Sequence, residues 1–162
     1  MNFKMPLLNR TLHVLMADDD EDDRLLAEDA LCESGVNAQL HFVVDGVELF
    51  DFLERTSEPE DTSDSPPSNA PPRPDLILLD LNMPRRDGRE ALQLLKSNPQ
   101  FRRIPVVIFT TSRDHQDIAT AYDGGANSYL TKPMSFEGLV ETMRNLGKYW
   151  AETVHLPNEE RE

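Results

Sequence analysis

Four short apolar runs in this sequence end on side chains whose chemistries complement one another. Val14-Leu15-Met16-Ala17 runs into Asp18-Asp19, and Leu76-Ile77-Leu78-Leu79 runs into Asp80. Val106-Val107-Ile108-Phe109 runs into Thr110, and Ser128-Tyr129-Leu130-Thr131 runs into Lys132-Pro133. Three carboxylates brought together repel one another, which raises their pKa values or unfolds the site unless a cation intervenes. A few hard oxygen ligands, with room left for water and phosphate, suit Mg²⁺. A lysine and a hydroxyl at the same edge are groups that can hold the oxygens of a phosphoryl group.

Residue types alone leave other readings to weigh. Asp18, Asp20 and Asp22 occupy positions one, three and five of a calcium loop. Position six is Asp23 where glycine is needed, and position twelve is Asp29 where glutamate is expected, so the loop does not match. The run divides more naturally in two. Asp18 and Asp19 belong to a strand end, whereas Asp20, Glu21, Asp22 and Asp23 cap the following helix and complement its dipole.

The elements that must position these groups alternate regularly. Strands are expected at 12–17, 39–44, 75–80, 105–110 and 127–131, and helices at 20–34, 46–55, 88–97, 113–123 and 135–151. Such alternation gives an α/β domain with a doubly wound parallel sheet covered by helices on both faces. Ligand sites of open sheets of this kind lie at the C-terminal ends of the strands, where the acids fall. The last helix carries an apolar stripe of Phe136, Leu139, Val140, Met143, Leu146 and Trp150, with Ser135 as its N-cap. The fourth has a thinner stripe (Ile118, Ala119, Tyr122) before Gly124-Gly125 and should be the most loosely held. Residues 56–74 are dominated by Pro, Ser, Asp and Glu and lack large apolar side chains, so a disordered insertion is expected there. Residues 1–10 read as a lead-in, 11–151 as the domain and 152–162 as a C-terminal tail.

The set Asp18-Asp19, Asp80 with Pro84 and Gly88, Thr110 and Lys132-Pro133 resembles the receiver domain of two-component response regulators, over roughly residues 11–150. Within that family, AYDGGANSYLTKP (121–133) and LGKYWAETVHLP (146–157) look most like stand-alone receivers that partner bacterial and cyanobacterial phytochromes. The resemblance implies a flavodoxin-like single domain with five parallel strands in the order 2-1-3-4-5. It implies that Asp80 is the nucleophile that takes a phosphoryl group from a phosphohistidine of a sensor histidine kinase, a phytochrome among the candidates. Asp19 and Asp80 would then ligate Mg²⁺ directly, Asp18 through a water, and the backbone carbonyl of Asn82 would add an oxygen. Lys132 would neutralise phosphoryl charge, from an inward aim that a cis Lys132–Pro133 bond could supply. Thr110 would donate to a phosphoryl oxygen, and Tyr129 would turn inward when Thr110 moves. Thr111 stands where the family usually has a small residue, which bears on phosphoryl access and on the Tyr129 swing.

Composition narrows the function classes. The chain of 162 residues has 30 acids against 16 Lys plus Arg, a formal net charge of -14. That field repels phosphate backbones, so no nucleic-acid partner is expected. No apolar stretch approaches membrane-spanning length and no signal-peptide core is visible, so a cytoplasmic protein without a membrane partner is expected. The lone Cys32 has no partner for an internal disulfide, and His13, His41, His115 and His155 are expected to be structural. An aspartyl phosphohydrolase would carry a second acid two residues after its nucleophile, and here that position is Asn82. The intact acid, threonine and lysine set also argues against a degenerate receiver that serves only as a scaffold. The expected protein is a response regulator that chemically transforms only itself, with an intermediate carrier in a multi-step phosphorelay as the alternative. Since the chain ends soon after the last helix, output is expected through the surface of the fourth helix, fifth strand and fifth helix. A homodimer is expected there, with Val154 and Leu156 of the tail adding apolar surface; the downstream protein is unknown.

Overall fold

Side chains alternate along each strand, and that alternation sorts the helices into two layers. In the computed structural model, which describes residues 11–56 and 70–157, the strands are β1 (Leu12–Ala17), β2 (Ala38–Val43), β3 (Leu76–Leu79), β4 (Val106–Thr110) and β5 (Ser128–Thr131). All pair in parallel, in the order β2-β1-β3-β4-β5. The helices are α1 (Glu21–Ser34), α2 (Gly46–Thr56), α3 (Gly88–Ser97), α4 (His115–Asp123) and α5 (Phe136–Gly147).

Leu15, Ala17, Ile77, Leu79 and Ile108 pack with Leu49 and Leu53 of α2, Leu92 and Leu95 of α3, and Ala121 of α4. Their strand neighbours Val14, Met16, Leu76, Leu78, Val107 and Phe109 pack with Ala27 and Ala30 of α1 and with Leu139, Val140 and Met143 of α5. Strands buried on both faces therefore read as unbroken aliphatic runs, and each fully buried leucine contributes about 1.5–3 kcal/mol.

Several expectations need correction. Strand β3 stops at Leu79, so Asp80 stands just past its end, and β2 begins at Ala38, one residue early. Helix α4 begins at His115 and buries Ala121, leaving Tyr122 exposed. It packs through a small side chain, so the expected Ala119–Tyr122 stripe is not its inward face. Helix α5 ends at Gly147 and passes into a π-helical turn, Lys148–Thr153. That turn and the segment after it return Trp150 and Leu156 to the α1/α5 layer, where they are 9% and 5% exposed. The tail thus closes this chain's own core and presents no apolar surface at those two positions. Phe136, expected on the inward stripe, is exposed.

Of the expected insertion, Thr56 belongs to α2, and residues 70–74 are anchored: Pro74 is buried and Arg73 Nη2 donates to the Gln100 carbonyl at 2.6 Å. Its remainder, with 1–10 and 158–162, lies outside the described residues. No helix among the described residues is long and apolar enough to cross a membrane.

Candidate functional site

Strand register brings the singled-out residues together. Met16 pairs with Leu78 and Ala17 with Leu79, so one further step along each strand sets Asp18 beside Asp80. The amide of Asp80 donates to the Ala17 carbonyl (3.0 Å) and that of Asp18 to the Val43 carbonyl (3.0 Å), extending the ladder past the strand ends. Thr110 pairs with Thr131, and the Lys132 amide donates to the Thr110 carbonyl at 2.8 Å. Period-two alternation then turns Asp18, Asp80 and Lys132 to one side of the sheet, the α1/α5 side, and Thr110 and Tyr129 to the other.

Asp18, Asp19 and Asp80 each offer a carboxylate oxygen, and these oxygens lie within 4.8 Å of one another. Asp18 is 1% exposed and Asp80 7%, whereas Asp19 is exposed to solvent. Lys132 Nζ lies 2.6 Å from Asp18 Oδ2, 2.7 Å from Asp23 Oδ2 and 3.0 Å from Asp80 Oδ2. Burial alone would lower the Lys132 pKa, but the bonds to Asp18 and Asp23 and the nearby Asp18 and Asp80 charges outweigh it and hold it above the ordinary lysine value. Burial pushes the Asp18 carboxyl up, more than the bonds from Lys132 and the Asp20 amide pull it down, and the Asp80 charge adds to the rise. One ammonium among several carboxylates leaves the pocket short of positive charge. An oxygen-only donor set with excess negative charge fits a hard divalent cation.

The loop after β3 is fixed tightly. A Cβ on Gly88 would stand 2.1 Å from the Asp80 carbonyl oxygen and 2.7 Å from Leu81 Cα, so α3 can start here only on glycine. The Gly88 amide donates to the Leu81 carbonyl (2.8 Å), and the Asn82 amide to Asp80 Oδ1 (3.3 Å). Arg85, at φ 63°, donates from Nε to Asp45 Oδ2 at 2.6 Å, strapping this loop to the start of α2. The Asn82 side chain is exposed.

Thr110 Oγ1 is buried and has no hydrogen-bond partner among the described residues. A buried hydroxyl left without a partner is a group that can donate to a ligand oxygen. Thr111 is exposed. Tyr129, half-buried, donates its hydroxyl to the Ser112 carbonyl at 2.9 Å. Ser112 Oγ in turn donates to Asp117 (2.7 Å), which also accepts from Arg89 of α3 (2.9 Å). The bonds from Ser112 and Arg89 hold the Asp117 carboxyl below the usual carboxylate range.

Two sequence expectations fail here. No peptide bond among the described residues is cis, so strand register, which places Lys132 on the side of Asp18 and Asp80, takes the place of the expected bond geometry. Asp20 does cap α1, accepting from the Asp23 amide at 3.2 Å, but Asp23 itself is no cap, since its carboxylate holds Lys132. The signal for Asp23 was available: it lies one helical turn before the buried Ala27, on the stripe that continues to Ala30 and Leu31. The histidines also hold a surprise, for His13 Nδ1 and His41 Nε2 lie 3.2 Å apart across β1 and β2.

The family model of the response regulator receiver domain matches residues 14–144. The chain belongs to the response regulator receiver family. Response regulator Rcp1 of Synechocystis sp. is 38% identical over 144 residues, 89% of this chain and 92% of Rcp1. The phosphorylated cyanobacterial phytochrome response regulator RcpA superimposes with a TM-score of 0.76 at 36% identity, covering 91% of this receiver and 99% of RcpA. The Mn²⁺-bound form of Rcp1 superimposes with a TM-score of 0.73 at 37% identity over 90% of this receiver and 99% of that chain. Receivers bind divalent metal ions, and the Asp18, Asp19 and Asp80 oxygens of this one form a donor group of that kind.

Proposed function

We propose that this receiver accepts a phosphoryl group on Asp80, with Mg²⁺, from the phosphohistidine of a phytochrome-type sensor histidine kinase in the cytoplasm. The observation that carries the reading is the 3.0 Å contact of Lys132 with Asp80, inside a carboxylate group that lacks positive charge. An Asp80 oxygen attacks phosphorus, the P–N bond breaks, and its electron pair stays on the imidazole nitrogen of the kinase. The product is an aspartyl phosphate, which water returns to aspartate and inorganic phosphate. Asp19, Asp80 and the Asn82 carbonyl would hold Mg²⁺, with Asp18 acting through a water, and the ion would supply neutralisation of phosphoryl charge.

The rest is the work of the chain's own groups. Lys132 covers the phosphoryl oxygens on its side, and the Thr110 hydroxyl donates to one of them. When the β4–α4 segment moves to complete that bond, the Tyr129–Ser112 hydrogen bond breaks and the Tyr129 ring turns inward. The face of α4, β5 and α5 then changes shape for a protein partner. The phytochrome link is supported by the likeness to RcpA, named as a phytochrome response regulator, over nearly the whole length of both chains. A homodimer on the same face is supported by exposed Tyr122 and Tyr149, with Trp150 and Leu156 taking no part because they are buried within the chain.

Transfer from a kinase tests the reading. A phytochrome histidine kinase autophosphorylated with labelled ATP should pass label to the wild type in Mg²⁺ and leave Asp80→Asn unlabelled. Equal transfer from an unrelated sensor kinase would remove the phytochrome link. Light scattering at tens of micromolar that finds a monomer with and without phosphorylation would remove the dimer.

A further inference from the structure

Asp23 stands outside the metal-binding acids and outside the switch, yet it holds the site's lysine more closely than Asp80 does. Its Oδ2 lies 2.7 Å from Lys132 Nζ, against 3.0 Å for Asp80 Oδ2. An ammonium has three protons to donate, and Asp18, Asp23 and Asp80 accept from it in three directions. Asp18 and Asp80 also belong to the metal-binding carboxylate group, and Asp80 changes its charge and shape once it carries a phosphoryl group. Asp23 does neither. It projects from the first turn of α1, whose inward stripe of Ala27, Ala30 and Leu31 is anchored in the core. Its side chain is 34% exposed while that of Lys132 is 10% exposed, so Asp23 lies toward the mouth of the pocket with the ammonium beneath it.

We propose that Asp23 is a positioning residue for Lys132, a tether that keeps the ammonium at the mouth when metal and phosphoryl group draw Asp18 and Asp80 away from it. The inference rests on the reading of Asp80 as phosphoacceptor. A lysine on a flexible four-carbon stem loses rotamer freedom when it is recruited to a transition state. A contact formed beforehand removes part of that loss, which is how positioning raises a rate. Two effects of Asp23 oppose each other: its charge repels an arriving phosphoryl anion, and its hold on Lys132 readies the cation. Screening weakens the first at a partly exposed carboxylate, while the second acts through a direct contact, so the hold wins.

The neighbouring Asp22 separates the two effects, because it is an exposed acid in the same helical turn. Phosphorylation by acetyl phosphate at saturating Mg²⁺ would be followed by intact mass in the wild type and in Asp23→Leu, Asp23→Asn and Asp22→Asn. Asp23→Leu should be about 10-fold slower than wild type, equivalent to about 1.4 kcal/mol. Asp23→Asn, which keeps an oxygen acceptor, should stay within about threefold of wild type, and Asp22→Asn should match or exceed it. Mg²⁺ affinity measured by calorimetry should change less than about threefold in Asp23→Leu, a split that general damage to the site would not give. NMR of the Lys132 ammonium protons at saturating Mg²⁺, which engages Asp18 and Asp80, reads the tether with no phosphoryl donor present: their signal should persist in Asp22→Asn and vanish by exchange in Asp23→Leu. Asp23→Leu as fast as wild type, or slowed only in step with lost Mg²⁺ affinity, overturns the proposal. An unaltered ammonium signal in Asp23→Leu also overturns it, whatever becomes of the Asp80 assignment.

Discussion

Replacing Lys132 by methionine keeps most of the side-chain volume and removes the ammonium that Asp18, Asp23 and Asp80 share. The side chains of Asp18 and Asp80 are 1% and 9% exposed, so both lose a buried partner, whereas Asp23 at 34% is largely satisfied by water. Breaking a buried ion pair by removing one partner costs about 3–5 kcal/mol. Asp18 limits the loss, because burial already raises its pKa and a proton can replace the missing cation. The lower end, about 3 kcal/mol, is expected, which for a chain of this size is a fall of about 6–12 °C in Tm. Thermal unfolding at pH 7.5 in a chelator would read it. A carboxyl whose folded-state pKa is raised contributes stability below its unfolded pKa and loses it as pH rises through the folded one. The gap between variant and wild type should therefore narrow as pH falls toward 5. Mg²⁺ should raise the Tm of the variant more than that of the wild type, since it supplies charge the variant lacks. Equal Tm values in chelator, or a loss indifferent to Mg²⁺, would refute the charge balance.

Gly88→Ala places a methyl 2.1 Å from the Asp80 carbonyl, so a loss of about 1–3 kcal/mol and slower phosphoryl uptake are expected from denaturant melts and mass spectrometry. An unchanged midpoint would show that the α3 start shifts freely. Burial, followed by the His13 charge, lowers the His41 pKa from 6.5, so its contribution to stability is present above that value and falls away as pH drops through the folded-state pKa. Denaturant midpoints between pH 7 and pH 5 should decline less steeply in His41→Gln than in the wild type. Replacing residues 57–69 by a short Gly-Ser linker should leave phosphorylation within about twofold and the melting midpoint nearly unchanged, because closure cost varies slowly with loop length. Loss of acceptor activity in that variant would make the segment a working part of the domain.

Much of this receiver could be read from its residues, for identifiable reasons. The runs Leu76–Leu79 and Val106–Phe109 are apolar on both faces because helices cover both faces, and a turn or polar group marks where each stops. Ser135 and Asp20 announced their caps. Asp23 escaped because an acid in the first turn of a helix has an ordinary use, and only the inward stripe through Ala27 separates the two roles. Leu156 escaped because it lies beyond the π-helical turn that follows Gly147, outside the 3.6-residue period on which a helical stripe is read. The contact between His13 and His41 depends on strand register, where Leu15 pairs with His41, and register is invisible within either strand alone.

Asp80 as carrier of the phosphoryl group is open to a direct chemical check, reduction of the modified protein. Wild-type protein treated with Mg²⁺ and acetyl phosphate, then reduced with borohydride, should yield a peptide with homoserine at position 80, the product of an acyl phosphate there. Omission of Mg²⁺ or the change Asp80→Asn should abolish it. Homoserine at Asp18, Asp19 or Asp23, or a phosphoryl mass that persists in Asp80→Asn, would contradict the account.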